Sequence, residues 1–470
     1  MLPVARHFLT RLGATKMLFD YQQYGVDWMV GRETATGPRG GFLCDEMGLG
    51  KTVQLIETML RNPVGRTLVC VPKSIVAQWK SEVATFAPNL EVYVFDGPKR
   101  EVPPTDFEGL AISPYSVVAD LAGTQWDRII LDEGHEIRNP KSKLCKCLCS
   151  FDAPIRWVVS GTPIFNSMRD FVTLCGFLGI TQGTVTREYE SIRTKYVLRR
   201  TKADVSTGST PLSFENLELE MYPEERDLYT EAFLAGQGFI REHHGHPVNA
   251  MEILECLLRI RQVMTWPQLY LDGMALKNET DTEAYMGRSK KHEVLMDLIL
   301  GHPDEKTLVF TQFTGETDRI QEMLIDRGIP VFRLDGNVDS AERLRRIDAF
   351  RIAAPDAVFL IQIRAGGVGL NLQEASRVYI TAPAWNPATE LQAIGRSHRT
   401  GQKRAVVVKK LIYKDVSDDL PSVEESIVNL QVAKSQVCAD VLKDAKLLKQ
   451  VPGVSSMKLR TIAKMFKARL

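Results

Sequence analysis

Asp45-Glu46-Met47-Gly48-Leu49-Gly50-Lys51-Thr52 sets two glycines ahead of a lysine and a threonine, the residue order of a phosphate-cradling loop. Gly48 and Gly50 let the backbone turn tightly enough for its N–H groups to face phosphate oxygens. Lys51 then reaches the β and γ phosphates, Thr52 offers its hydroxyl to Mg²⁺, and a helix opening at this point aims its positive end at the anion. The strict pattern has glycine where this chain has Asp45. The lysine is followed 81 residues later by Asp132-Glu133-Gly134-His135. Asp132 is placed to hold Mg²⁺ through water, and Glu133 to orient or deprotonate an attacking water. Loop and acids together describe a site that hydrolyses a nucleoside triphosphate.

Strands must deliver both groups. Arg128–Leu131 is a short apolar run that reads as a strand buried on both faces, with the two acids at its carboxyl end. Thr67–Val71, Leu90–Phe95 and Arg156–Ser160 read as further strands and Ile75–Phe86 as a helix, an alternation that means a parallel sheet covered by helices. From 201 to 290 the pattern changes to charged helical periodicity, as in Pro223–Phe233 and Met251–Met264, which reads as an insertion or connector outside the sheet. Alternation resumes with Thr307–Thr311, Glu316–Asp326, Pro330–Arg333, Ala341–Phe350, Ala357–Ile361, Arg377–Thr381 and Ala405–Ile412, implying a second α/β lobe without a phosphate loop of its own. One nucleotide site served by two lobes is the economical arrangement, with the ligand at the carboxyl ends of the strands. Ser422 is the candidate N-cap of a further helix, with Glu424 and Glu425 in its first turn and Val423, Ile427, Leu430, Val437 and Val441 on one face.

A chain of 470 residues with 44% hydrophobic residues can bury more than one core. Its formal net charge of +1 means that any surface for a polyanion must be local. The last 28 residues hold eight Lys or Arg against Asp444, a tail that is either solvated or bound to a polyanion. Residues 1 to 19 carry Arg6, Arg11 and Lys16 and read as a basic lead-in helix. The eight cysteines lack disulfide-framework spacing, which fits a reducing compartment. Cys145, Cys147 and Cys149 read as three thiols on one segment rather than a zinc site, because no C-x₂-C partner lies nearby. No apolar run approaches the length of a membrane span.

Within Asn386–Arg399, Arg396 and Arg399 stand three apart, on one face if the segment is helical. Triphosphate hydrolysis develops charge on the γ-phosphate oxygens, and guanidinium groups brought from a second body stabilise it. Beside a lobe that supplies the loop and acids, this pair reads as arginine fingers.

With these residues, the chain resembles the Swi/Snf-type DNA translocase ATPases of helicase superfamily two over residues 18 to 440. The boxes run in order: Tyr21-Gln22 with Gly25 and Trp28; residues 45–52; Pro72-Lys73-Ser74 with Trp79; 132–135; Ser160-Gly161-Thr162-Pro163; Leu198-Arg199-Arg200-Thr201-Lys202; Arg333-Leu334-Asp335-Gly336; Arg364 through Leu372; and Trp385-Asn386-Pro387 through Gly401-Gln402. The resemblance implies an α/β fold of two RecA-like lobes, each a parallel β-sheet with helices on both faces, a helical insertion between them and a C-terminal brace helix. The expected boundaries are lead-in 1–17, ATP-binding lobe 18–200, insertion 201–290, second lobe 291–420, brace helix 421–442 and basic tail 443–470.

It also implies ATP as the nucleotide, with Mg²⁺ on Thr52 and Asp132. Gln22 would face the base, with Asp45, Gly48, Gly50, Lys51, Gly367 and Gln392 completing the nucleotide site. Lys51, Glu133, Arg396 and Arg399 are the implied catalytic groups, and Ser160 and Thr162 would couple phosphate state to DNA. Lys73, Ser74, Gln312, Arg333, Gly366 and Asn371 are the implied DNA contacts, mostly to phosphate. Such contacts carry no base information, so binding should tolerate sequence and weaken with salt. The implied partner is double-stranded DNA in an intracellular, often nuclear, compartment. A monomeric motor that remodels or displaces DNA-bound protein is expected, with lobe closure on ATP ratcheting the duplex. Strand separation and an ATP-gated DNA-binding adaptor are the alternatives.

Three departures stand out. Gln362 and Ile363 precede Arg364 where the family has Ser or Thr, Ala382 replaces an aspartate, and Gly395 replaces an acid before the first finger. The Asp-Glu-Gly-His box resembles the branch acting on damaged or stalled replication DNA. Its RING zinc finger has no counterpart here, and His243, His244, His246 and Cys256 read as a solvated helix end.

Overall fold

The structure is a computed structural model that describes residues 18–161, 168–205, 210–242, 250–336, 338, 340–366, 370–399, 401–417 and 420–442. The basic lead-in, the basic tail, Thr162, Gly367, His243, His244 and His246 lie outside the described residues. Two compact units divide the chain, the break falling between residues 209 and 210.

The first unit contains β1 (Arg39–Leu43), β2 (Arg66–Val71), β3 (Val92–Val94), β4 (Gly109–Pro114), β5 (Arg128–Asp132), β6 (Ile155–Val159) and β7 (Val197–Leu198). All pair in parallel, in the order β3-β4-β2-β5-β6-β1-β7. Parallel neighbours need crossovers, which the helices Lys51–Arg61, Val76–Phe86 and Lys143–Ser150 supply. Phe42, Leu43, Leu68, Val69, Ile129, Ile130, Leu131, Val158 and Val159 are all fully buried, as near-continuous apolar strands in a covered sheet require. Cys145, Cys147 and Cys149 fall on the crossover helix Lys143–Ser150. Cys145 and Cys149 therefore lie one turn apart, and the Cys145 hydrogen bond draws the Cys149 thiol down to about 7.

At the amino end of β5 the reading of a purely apolar strand misses a buried ion pair. Arg128 Nε donates to Glu33 Oε1 at 2.7 Å and Nη2 to Glu33 Oε2 at 2.5 Å, with both side chains almost fully enclosed. Trp157 Nε1 (2.8 Å) and Asn62 Nδ2 (2.6 Å) also donate to Glu33, and Arg128 Nη2 reaches the Asn62 carbonyl at 2.6 Å. The network ties helix Asp20–Glu33 and the end of helix Lys51–Arg61 to β5 and β6. Glu33→Ala strands a guanidinium and an indole N–H in the core, so we expect a loss of about 3–5 kcal/mol in urea unfolding. A loss below about 1 kcal/mol, the range of an exposed pair, would show that water reaches the site.

The second unit contains β8 (Leu212–Leu219), β9 (Thr307–Thr311), β10 (Val331–Leu334), β11 (Val358–Gln362), β12 (Arg377–Ile380) and β13 (Val406–Tyr413), again all parallel, in the order β10-β11-β9-β12-β13-β8. The stretch 201–290 is thus not wholly a connector outside the sheet. Its residues Leu212–Leu219 pair with β13 along eight positions, from Leu212↔Val406 to Leu219↔Tyr413. As an edge strand β8 alternates half-buried and exposed residues, and its glutamates resembled linker charge. The helices that follow, Pro223–Glu242, Ala250–Thr265 and Pro267–Asn278, belong to the same core: Tyr229, Phe233, Ile260, Met264 and Tyr270 pack in one cluster with Val309, Ile320 and Leu411. Helix Val423–Leu442 adds Val423 and Ile427 to that cluster. Ser422 caps it as expected, its Oγ accepting from Glu425 N at 3.3 Å. Among the described residues no helix is long and apolar enough to cross a membrane.

Candidate functional site

The glycine loop leaves the carboxyl end of β1 and enters helix Lys51–Arg61. Gly48 (φ 89°) and Gly50 (φ 70°) are both left-handed, a conformation that carries little penalty only for glycine. A Cβ at Gly50 would also stand 2.4 Å from Gln22 Nε2. Gln22 thereby lies against the loop, its amide donating to the Leu49 carbonyl at 3.3 Å and accepting from Phe19 N at 3.0 Å. Lys51 Nζ folds onto the loop, 2.9 Å from the Asp45 carbonyl and 3.5 Å from that of Glu46. Leu55 and Ile56 are 1% exposed and anchor the helix, leaving Thr52 half-buried at its first turn.

Asp45, implied as part of the nucleotide site, has protein partners for its carboxylate. Its carboxylate is fully buried and forms a two-point ion pair with Arg200, Nε lying 3.0 Å from Oδ1 and Nη2 bonding Oδ2. Gln54 Nε2 donates to the same Oδ2 at 3.1 Å. The residue at the unexpected position of the loop serves to hold the loop.

β5 delivers the acids. Trp79, on helix Val76–Phe86, donates its indole N–H to Asp132 Oδ2 at 2.7 Å, and Tyr115 OH donates to the Asp132 carbonyl at 2.8 Å. Burial first, and then the Glu133 charge, push the Asp132 carboxyl up to about 6. Glu133 adopts φ 51°, a left-handed conformation for a residue with a Cβ that costs on the order of 1–3 kcal/mol. Its N–H donates to Asp132 Oδ1 at 3.0 Å. His135 Nδ1 lies 3.5 Å from Glu133 Oε2 and 3.3 Å from Ser160 Oγ. Burial lowers the His135 ring to about 4, so near neutral pH it joins Glu133 and Ser160 as an uncharged imidazole. No role for His135, Tyr115 or Arg200 follows from the residue order alone. Trp79 and Arg200 stood inside recognised boxes, whereas the hydroxyl of Tyr115 left no signal. Lys73 and Ser74 are exposed on the turn that follows β2.

In the second unit the expected residues are more dispersed. Gln312 follows β9 and donates its amide to the Ala382 carbonyl at 3.0 Å. Arg333, on edge strand β10, is ion-paired with Asp318 and, at 2.9 Å, with Asp335, so its charge is already matched locally. Gly366 ends the short helix Ile363–Gly366 after β11. Asn371 precedes Leu372, whose N–H donates to the Arg396 carbonyl at 3.0 Å, and its own carbonyl accepts from Arg351 Nη2 at 3.1 Å. Gln392 is half-buried on helix Pro387–Ile394.

That helix is capped by Asn386, whose Oδ1 accepts from Ala388 N at 3.1 Å, and it stops at Ile394. Arg396 and Arg399 therefore occupy the turn beyond it and not a common helical face. Arg396 is buried (8% exposed) and Arg399 half-buried. The departures have structural places: Ile363 packs in the core, Ala382 is buried with its carbonyl holding Gln312, and Gly395 forms the C-cap.

Two family models match this chain, the SNF2-related domain over residues 21–194 and the helicase conserved C-terminal domain over residues 290–401. The SWI/SNF-related matrix-associated actin-dependent regulator of chromatin subfamily A member 1 of Mus musculus is 29% identical over 92% of this chain and 44% of its own length. The chain thus spans less than half of that relative. A "Probable global transactivator" of Orgyia pseudotsugata multicapsid polyhedrosis virus is 28% identical over 87% of this chain and 88% of its own length. A solved structure, the Sulfolobus solfataricus SWI2/SNF2 ATPase core in complex with dsDNA, aligns with a TM-score of 0.41 and 24% identity over 96% of this chain and 100% of that one.

Proposed function

Because the chain belongs to the Swi/Snf-type, helicase-like ATPases, we propose that it is a double-stranded-DNA translocase that uses ATP to displace or remodel what the duplex carries. The observation that carries the reading is the assembly of Gly48, Gly50, Lys51, Asp132 and Glu133 at the carboxyl ends of β1 and β5 of one parallel sheet, with Asp132 fixed by Trp79 and Tyr115. In this reading the loop N–H groups and Lys51 bind the phosphates, Gln22 faces the base, and Glu133 aligns water for attack on the γ-phosphorus.

Two oxygen donors, the Thr52 hydroxyl and the Asp132 carboxylate, suit a hard divalent cation. A carboxyl that burial and a second acid destabilise is one that a cation would relieve, so these residues fit Mg²⁺. When bound, Mg²⁺ would neutralise charge on the β and γ phosphates. Ser160, through His135, stands in reach of Glu133 and is a route for phosphate state to act on Ser160-Gly161-Thr162. Lys73 and Ser74 supply exposed phosphate contacts in the first unit, and Gly366 and Asn371 supply them in the second. Gln312 and Arg333 would have to exchange their present partners for phosphate.

The test is steady-state ATP hydrolysis with no nucleic acid, single-stranded DNA, duplex DNA and RNA, at two salt concentrations, beside Lys51→Ala. Strong stimulation by duplex DNA, weakened by salt and abolished in the variant, is the expected result. Background turnover under all four conditions would instead favour an ATP-gated DNA-binding adaptor.

A further inference from the structure

Arg199, Arg200 and Lys202 lie in the segment that closes the first unit, directly before the chain passes into the second at residue 210. Each grips one of the three consecutive residues that lead into the glycine loop. Arg199 Nη1 donates to the Cys44 carbonyl at 2.7 Å and to that of Gly161 at 3.2 Å. Arg200 pairs with Asp45 at two points and donates Nη2 to Gln54 Oε1 at 2.8 Å and Nη1 to the Tyr21 carbonyl. Lys202 holds Glu46 through its backbone N–H (2.9 Å) and places Nζ 3.8 Å from the carboxylate. Two main-chain bonds, Cys44 N to Leu198 O (2.7 Å) and Glu46 N to Arg200 O (2.8 Å), extend the β1–β7 pairing into the loop. A Cβ on Gly25 would stand 2.0 Å from Gln54 Oε1 and 2.7 Å from Arg200 Nη2, so helix Asp20–Glu33 is pared back at the one position where this cluster needs space.

We propose that Arg200 is a positioning residue that sets the shape of the phosphate-binding loop and ties it to the segment leading into the second unit. The proposal rests on the reading of this loop as an ATP site. A two-point pair between a guanidinium and a buried carboxylate fixes both distance and orientation, which a single hydrogen bond does not. Lys51 is the complementary grip: its ammonium also holds the Asp45 carbonyl. A phosphate that draws Lys51 away leaves Arg200 as the main restraint on Asp45. Such coupling is reciprocal, so if the tether favours nucleotide binding, nucleotide must order the tether by the same factor.

The experiment measures fluorescent-ADP affinity and the ATP dependence of turnover on saturating duplex DNA, in the full chain and in Arg200→Ala, Arg200→Lys and Gly25→Ala. The glycine variant displaces the cluster without removing a charge and sits in a helix, where alanine is favoured. We expect nucleotide affinity to fall about tenfold in Arg200→Ala and Gly25→Ala. KM for ATP should rise in step, kcat should change far less, and Arg200→Lys should recover part of the loss. In unmutated protein, amides of residues 198–204 should exchange more slowly with ADP bound. Variants matching the full chain in affinity and KM, or amides indifferent to ADP, would overturn the tether while leaving the ATP reading intact. Failure of the unmutated chain to bind ADP would overturn that reading itself.

Discussion

Glu133→Gln is expected to keep ATP bound and to slow steady-state hydrolysis by about 10²- to 10⁴-fold, the range for a positioned general base. Glutamine has nearly the same shape, so the left-handed turn at position 133 and the Glu133 N–H bond to Asp132 should persist. What disappears is the anionic oxygen that lies 3.5 Å from His135 Nδ1. The Glu133 charge also helps raise the Asp132 carboxyl, so its removal should make Asp132 a stronger acid, which favours cation and nucleotide binding. Retained affinity with lost turnover is therefore the signature of a base. The proposed movement along DNA should stop with hydrolysis, and a variant that moved at the unmutated rate would break the proposed link between chemistry and translocation.

Arg399→Ala should lower DNA-stimulated turnover by at least about a hundredfold, within reach of the roughly 10³- to 10⁵-fold that an arginine finger contributes, with ATP affinity retained. Arg399 is a cleaner probe than Arg396. The backbone of Arg396 holds Leu372 and its side chain is buried, so truncating it would perturb packing together with chemistry. Arg399 is half-buried at the end of the same turn. Arg399→Lys keeps a charge but loses the planar fork and should not rescue the rate. Single-turnover hydrolysis with measured ATP occupancy decides the matter. Unmutated turnover in Arg399→Ala would remove this residue from the catalytic set.

The features whose physics is local are legible in the residues alone. Gly48, Gly50, Lys51 and Thr52 lie within five residues, and the left-handed glycines and helix start follow from residue type alone. The runs Ile129–Leu131 and Leu308–Phe310 mark strands because strands buried on both faces have apolar interiors. Ser422 signals a helix start because capping is settled within three residues.

Features that depend on a distant partner are legible only once the chain is folded. The Asp45 carboxylate holds the loop because the fold sets Arg200, 155 residues away, against it. The edge strand β8 resembled a charged linker because one side of its ladder and half of its side chains lie outside the core, and only pairing with β13 reveals it. That Arg333 is ion-paired with Asp318 and Asp335 is likewise set by the fold, which brings Asp318 from 15 residues away. The charge at Glu33 and Arg128 is tolerable only because the fold joins them in the core. Spacing encodes a loop or a cap, but a buried carboxylate takes its role from whichever donor the fold places opposite it.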